Sequence, residues 1–113
     1  MKILEKEIEF NFFDADIADK ISEESKSLGK SMEKIGETLK PRNIVIRTTC
    51  NQIIKFFNNI VGEENTKEIF GNKTDWNLCF EALDNFFDAK EEAEKEQVKI
   101  LNQRVKKYER YLK

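Results

Sequence analysis

The feature that most limits what this chain can become is an apolar stripe along its last third. Trp76, Phe80, Leu83 and Phe87 share one helical face, with Cys79 and Phe86 beside them. Glu81, Asp84, Asn85 and Asp88 take the other face. The stripe lapses through the charged stretch 90–97, then resumes in phase with Val98, Leu101, Val105, Tyr108 and Leu112. In-phase resumption predicts one continuous helix over residues 74–112, about 58 Å long at 1.5 Å per residue. Such a rod is long for a 113-residue globule, so its distal half is expected to project, bend back, or pack on the first helix or on another subunit. Thr74 is the expected N-cap. Phe80 sits near the centre of the expected core face, and replacing it with alanine is expected to cost ~3–5 kcal/mol.

A helix of this kind needs a partner face, and the stretch 41–61 supplies one. Ile46, Cys50, Ile53, Ile54, Phe57, Ile60 and Val61 fall together, with Val45 and Phe56 at the margin. Arg47, Thr48, Asn51, Lys55, Asn58 and Asn59 fall opposite. Pro41 suits the first turn of this helix and Gly62 its end. Upstream, Ile17, Ile21, Leu28, Met32, Ile35 and Leu39 form a narrow seam, interrupted by Ser25, on a helix expected to run from Asp14 to Lys40. Gly29 and Gly36 lie beside that seam, where they are expected to permit close helix approach or to leave the helix loose. Residues 63–70 read as a short helix closed by Gly71.

Residues 1–13 differ in period. Ile8, Phe10 and Phe12 alternate with Glu7, Glu9 and Asn11, the pattern of a half-buried strand. No second strand signal follows. The segment is therefore expected to be an extended arm on the helices, or to pair with its own copy or a partner's sheet.

Composition bounds the function classes. Hydrophobic residues make up 39% and charged residues 37%, with a net charge of −2, which suits amphipathic helices and disfavours a broad nucleic-acid-binding face. The basic cluster over residues 104–110 is interleaved with Tyr108, so it reads as a solvated, snorkelling face. No apolar run approaches the ~20 residues that span a bilayer, and no signal peptide is expected. The absence of histidine removes the commonest general base near neutral pH. Cys50 and Cys79 lie on apolar faces and read as buried free thiols. Two cysteines without histidine are too few for the usual zinc site. Asp14, Asp16 and Asp19 read as a helix cap and dipole complement rather than as a cation site. Gly71-Asn72-Lys73 is a turn without P-loop spacing. No catalytic, cofactor-binding or metal-ligating residue is expected, and the chain reads as non-enzymatic.

Three stretches carry a resemblance. They are Glu7-Ile8-Glu9-Phe10-Asn11-Phe12-Phe13-Asp14-Ala15-Asp16, then Phe56-Phe57-Asn58-Asn59-Ile60-Val61-Gly62, then Ile69-Phe70-Gly71 leading into Leu78-Cys79-Phe80-Glu81-Ala82-Leu83. In order and spacing they resemble a family of small proteins from tail gene modules of phages and prophages of Gram-positive bacteria, over most of residues 5–90. The resemblance implies a chaperone-like role in tail assembly, binding the tape measure or tail-tube protein. It also implies residence in the cytoplasm of the bacterial host, or in the virion if the protein is instead a homo-oligomeric structural adaptor. A nucleic-acid-binding regulator is the weaker alternative.

The expected architecture is an all-α small helical bundle with one long C-terminal helix and an N-terminal strand-like arm. The arm covers residues 1–13 and a single helical domain covers 14–113, with 90–113 forming the projecting or packing end. Phe10, Phe12, Leu101, Val105, Tyr108 and Leu112 are the candidate partner-binding residues. The partner is expected to be a protein, with a homodimer as one form, and neither membrane nor cofactor is expected. The seams over residues 17–39 and 98–112 are expected to pair within or between subunits.

Overall fold

The computed structural model describes residues 1–38 and 41–112. Two short strands, β1 (Lys2–Ile3) and β2 (Lys6–Glu7), precede four helices: α1 (Ala15–Glu37), α2 (Arg42–Val61), α3 (Glu63–Phe70) and α4 (Trp76–Tyr108). The fold is a small helical bundle with a long last helix and a short two-stranded N-terminal arm. Leu39 and Lys40, the expected last residues of the first helix, lie outside the described residues.

Local chemistry sets the helix ends. The Asp14 carboxylate accepts from the N–H groups of Asp16 (2.9 Å) and Ile17 (3.1 Å), satisfying donors that the first turn leaves free. At α4 the cap is Asp75, not Thr74: its carboxylate accepts from Leu78 N–H at 2.9 Å. A carboxylate there also complements the positive helix end, which a hydroxyl does not. Gly62 and Gly71 close α2 and α3 with φ of +89° and +61°, a region costly for residues with a Cβ.

The N-terminal arm is where the sequence reading and the structure part. It holds two short strands that pair with each other: Lys2 faces Glu7 and Ile3 faces Lys6, antiparallel. Residues 8–12, where the alternation suggested a strand, have no strand structure. The alternation is instead produced by a segment that drops every second side chain onto the helices. Ile8 is 1% exposed, and Phe10 and Phe12 pack against the core. The hairpin turn holds Leu4 at φ +53°, unusual for a residue with a side chain. Asn85 of α4 fixes that turn by accepting from Leu4 N–H at 2.8 Å.

The core is centred on three phenylalanines. Phe86 lies edge-on to Phe56 (5.4 Å) and Phe57 (5.9 Å), and all three rings are essentially inaccessible. Phe70 meets Phe57 at 5.4 Å from α3, while Phe12 meets Phe86 at 5.8 Å from the arm. α1 and α2 form an antiparallel pair, into which Ile21 and Leu28 are buried. The seam of α1 is thus covered by α2 of the same chain. Asn59 of α2 donates to the Glu24 carboxylate of α1 at 3.1 Å.

The buried face of α4 is rotated from the one the large side chains marked. Its buried residues are Cys79, Ala82, Leu83 and Phe86, whereas Trp76 and Phe87 remain 38% and 36% exposed. Small residues at 79 and 82 let α4 approach the body closely, so the contact forms there and leaves the bulkier stripe on the flank. Phe86, not Phe80, is therefore the residue whose loss opens a cavity. Phe86→Ala is expected to cost ~3–5 kcal/mol in urea unfolding, and Phe80→Ala clearly less.

Gly29 and Gly36 also differ from expectation. A Cβ added at either would meet nothing within 4 Å, so neither serves close helix packing. Gly29→Ala and Gly36→Ala should each raise stability by up to ~1 kcal/mol in thermal unfolding.

Candidate interaction surface

The surface is built on α4. Its inner half is anchored by Phe86 and Asn85, and Ala89, Lys90 and Ala93 are the last residues with substantial cover. From Glu94 to Leu112 every residue is exposed. The molecule measures 64 × 29 × 19 Å, with a radius of gyration of 17.5 Å. A compact domain of this length has roughly 13 Å. Projection of the distal half of α4 accounts for the difference.

Salt bridges support the start of the projecting stretch. Lys90 contacts the Glu94 carboxylate, and Lys95 lies 3.6 Å from both Glu91 and Glu92. These i,i+3 and i,i+4 pairs hold a solvated helix together where no core does, each by a few tenths of a kcal/mol (about 0.2–0.5). Beyond them, Val98, Leu101, Val105 and Leu112 are 60%, 61%, 52% and 71% exposed. Arg104 donates to the Tyr108 hydroxyl at 3.2 Å, and Arg110 stacks 4.9 Å from the Tyr111 ring centroid. The basic side chains thus lie over the aromatic ones and keep their charged heads wet.

Among the candidate residues the structure separates two groups. Leu101, Val105, Tyr108 and Leu112 lie together on the open stripe. Phe10 and Phe12 lie far from it in role: they are half-buried, 4.8 Å from each other, and both contact Phe86. Part of their apolar surface is covered by the chain's own core. Trp76 and Phe87, which sequence reasoning assigned to the core, belong with the open stripe. The signal was present, since the distal stripe is in phase with these two residues and not with Cys79 and Phe86.

A second surface feature is a groove of about 480 Å³ between α1 and α4. Ala18, Ile21, Ser22 and Ser25 line one wall, Ala93 and Gln97 the other. The Ser25 hydroxyl, which interrupts the α1 seam, is shielded there without a hydrogen-bond partner. Small side chains on the α1 wall leave the space between α1 and α4 unfilled.

Cys50 and Cys79 are free and fully buried. Burial, and then the neighbouring Cys50 thiol, push the Cys79 thiol up from 9.0 to about 12. A thiol so held stays neutral and is neither a nucleophile nor a metal ligand near neutral pH. Among the described residues, no three histidine, cysteine, aspartate or glutamate side chains converge on a point that could hold a metal ion. No described helix is long and apolar enough to cross a membrane.

With this geometry in view, the comparisons give one result. The chain belongs to a family of unknown function, DUF6673, whose model matches residues 4–112. The match takes in the hairpin turn, all four helices and the open stripe. No curated protein and no solved structure matches the chain.

The buried thiols allow a direct check. Neither cysteine should react with a thiol reagent at pH 8 in the native protein, and both should react in urea. The stability supplied by the neutral Cys79 thiol is complete below its unfolded value of 9.0 and is lost as pH rises towards about 12. Chemical unfolding should show wild type losing stability across that alkaline window, and Cys79→Ala losing less.

Proposed function

We propose that this chain is a non-enzymatic assembly factor of phage or prophage tail modules that shields an apolar helix of the tape measure or tail-tube protein. One observation carries the binding part of this reading: Leu101, Val105 and Tyr108 lie open on a helix that leaves the body and ends at Tyr108, short of the expected residue 112, with Leu112 exposed just beyond it. Open large apolar side chains at 3- and 4-residue steps are what a helix-in-groove or helix-pairing partner reads. Burying each one contributes about 1.5–3 kcal/mol before ordering costs. The tail module is supplied by the resemblance of residues 5–90 to that group of proteins. The body then acts as a rigid handle, and the projecting helix as the capture arm.

The elongated shape also favours a second reading, a homo-oligomeric adaptor that remains in the particle. The two are separated by timing. A chaperone is present during assembly and missing from purified particles, whereas an adaptor is found in them.

The test is co-purification from phage-producing cells. Full-length protein is expected to bring down the tape measure or the tube protein. Leu101→Asp and Val105→Asp should each abolish capture while leaving the circular dichroism spectrum and the unfolding midpoint of the body unchanged. Recovery of nucleic acid in place of either tail protein, or of neither, would refute the reading.

A further inference from the structure

The whole open stripe of α4, not only its distal half, has a symmetry that identifies an occupant. Trp76 and Leu112 are equidistant in sequence from Glu94. So are Phe80 and Tyr108, Leu83 and Val105, and Phe87 and Leu101. All but Leu112, which lies past the end of α4 at Tyr108, fall along one side of the helix, Leu83 covered and the rest at least partly exposed. We propose that α4 pairs with α4 of a second copy of this chain, antiparallel and centred on Glu94. Each distal aliphatic or tyrosine side chain then meets an aromatic or leucine side chain on the flank of the other body.

Charge along the helix selects this arrangement. In this register residues 99–112, with five basic side chains and one acidic, lie beside residues 76–89 of the other helix, with three acidic and none basic. Antiparallel pairing about Glu94 lays the basic end of each helix beside the acidic stretch of the other. Asp84 and Lys106 fall on the same flank of the stripe, at nearly the same level, across the pair. Parallel pairing would instead set basic end against basic end and acidic stretch against acidic stretch. Pairing through the distal halves alone would do the same to the basic ends. At the centre the two Glu94 side chains approach, and each already has its charge met by Lys90 of its own helix.

The geometry also leaves room. Glu94 borders the groove beside α1 and is exposed, and from it onward the body covers no residue of α4, so the second helix crosses where cover ends. The two bodies come to lie at opposite ends of the helix pair. This goes beyond the assembly-factor reading, because it names what covers the stripe in the absence of any client. It stands whether or not the client is a tail protein.

The experiment uses the full chain alone. Sedimentation equilibrium should give a dimer of the 13.4 kDa chain, and Val105→Asp should give a folded monomer. Register is read from spin labels on single introduced cysteines, since Cys50 and Cys79 are buried. At an interaxial distance of 8–10 Å, labels at Lys95→Cys should lie within about 15 Å of each other. Labels at Glu109→Cys should lie about 45 Å apart, at 1.5 Å of rise per residue. Lys106→Glu should weaken the dimer several-fold, and Asp84→Lys in the same chain should restore it. A monomer at several hundred micromolar would overturn the pairing. A dimer with close Glu109→Cys labels would overturn the register in favour of distal or parallel pairing. Because no tail protein is present, neither failure bears on the capture experiment.

Discussion

The edge-to-face contact of Phe86 with Phe56 and Phe57 is the constraint on which the rest of this molecule depends. It fixes α4 on α2, and every other part of the core is placed around those rings. Phe70 brings α3 against one side of the cluster, and Phe10 and Phe12 bring the arm against the other. The residue beside Phe86 adds the polar counterpart. Asn85 holds the Leu4 N–H, so the hairpin is tied to the same turn of α4 that carries the aromatic contact. In a chain this short the buried area is limited, and one helical turn serves both as wedge and as clamp.

That contact also decides what is left outside. With Phe86, Ala82 and Cys79 turned inward, Trp76 and Phe87 are carried to the flank. The distal side chains Val98, Leu101, Val105, Tyr108 and Leu112 continue that flank, not the buried face. A helix whose inner and outer halves shared one buried face would need a body some 50 Å long to cover it. Here the body covers the first half along one side only. The open side runs along the helix and is interrupted at Leu83, which the body covers.

Much of this architecture can be read from sequence, and the exceptions have physical causes. Helix positions followed from periodicity and from Gly62, Gly71 and Pro41, each of which acts through local backbone geometry. The hairpin did not, because two-residue strands carry no period and its turn uses a leucine at positive φ in place of glycine or asparagine. The rotation of α4 is hidden in the sequence because its bulkiest side chains mark the flank and not the core. Close packing favours the face with Cys79 and Ala82, where backbones can approach. The candidate residues divided for the same reason. Phe10 and Phe12 are large and near the body, so the body absorbs them; Leu101 and Val105 are beyond its reach. Gly29 and Gly36 show the reverse case, small residues that signal packing yet face open space.

The charge pattern on α4 calls for a cause beyond helix stability. Lys106 and Lys107 in the last turn complement the negative end of the helix dipole, and that effect fades within one turn. It explains neither Lys99 and Arg104 nor the acidic residues between Asp88 and Glu96, which lie in the middle of the helix. The i,i+4 pairs at 90–95 neutralise some of those acids locally, and most remain in excess. Mixed charges would have served solubility equally well. A sharp change of sign part-way along an open apolar stripe instead rejects partners laid down in one direction and accepts those laid down in the other. Orientation is then set by charge and affinity by the apolar side chains, which is the division expected of a surface that must pair in a single register.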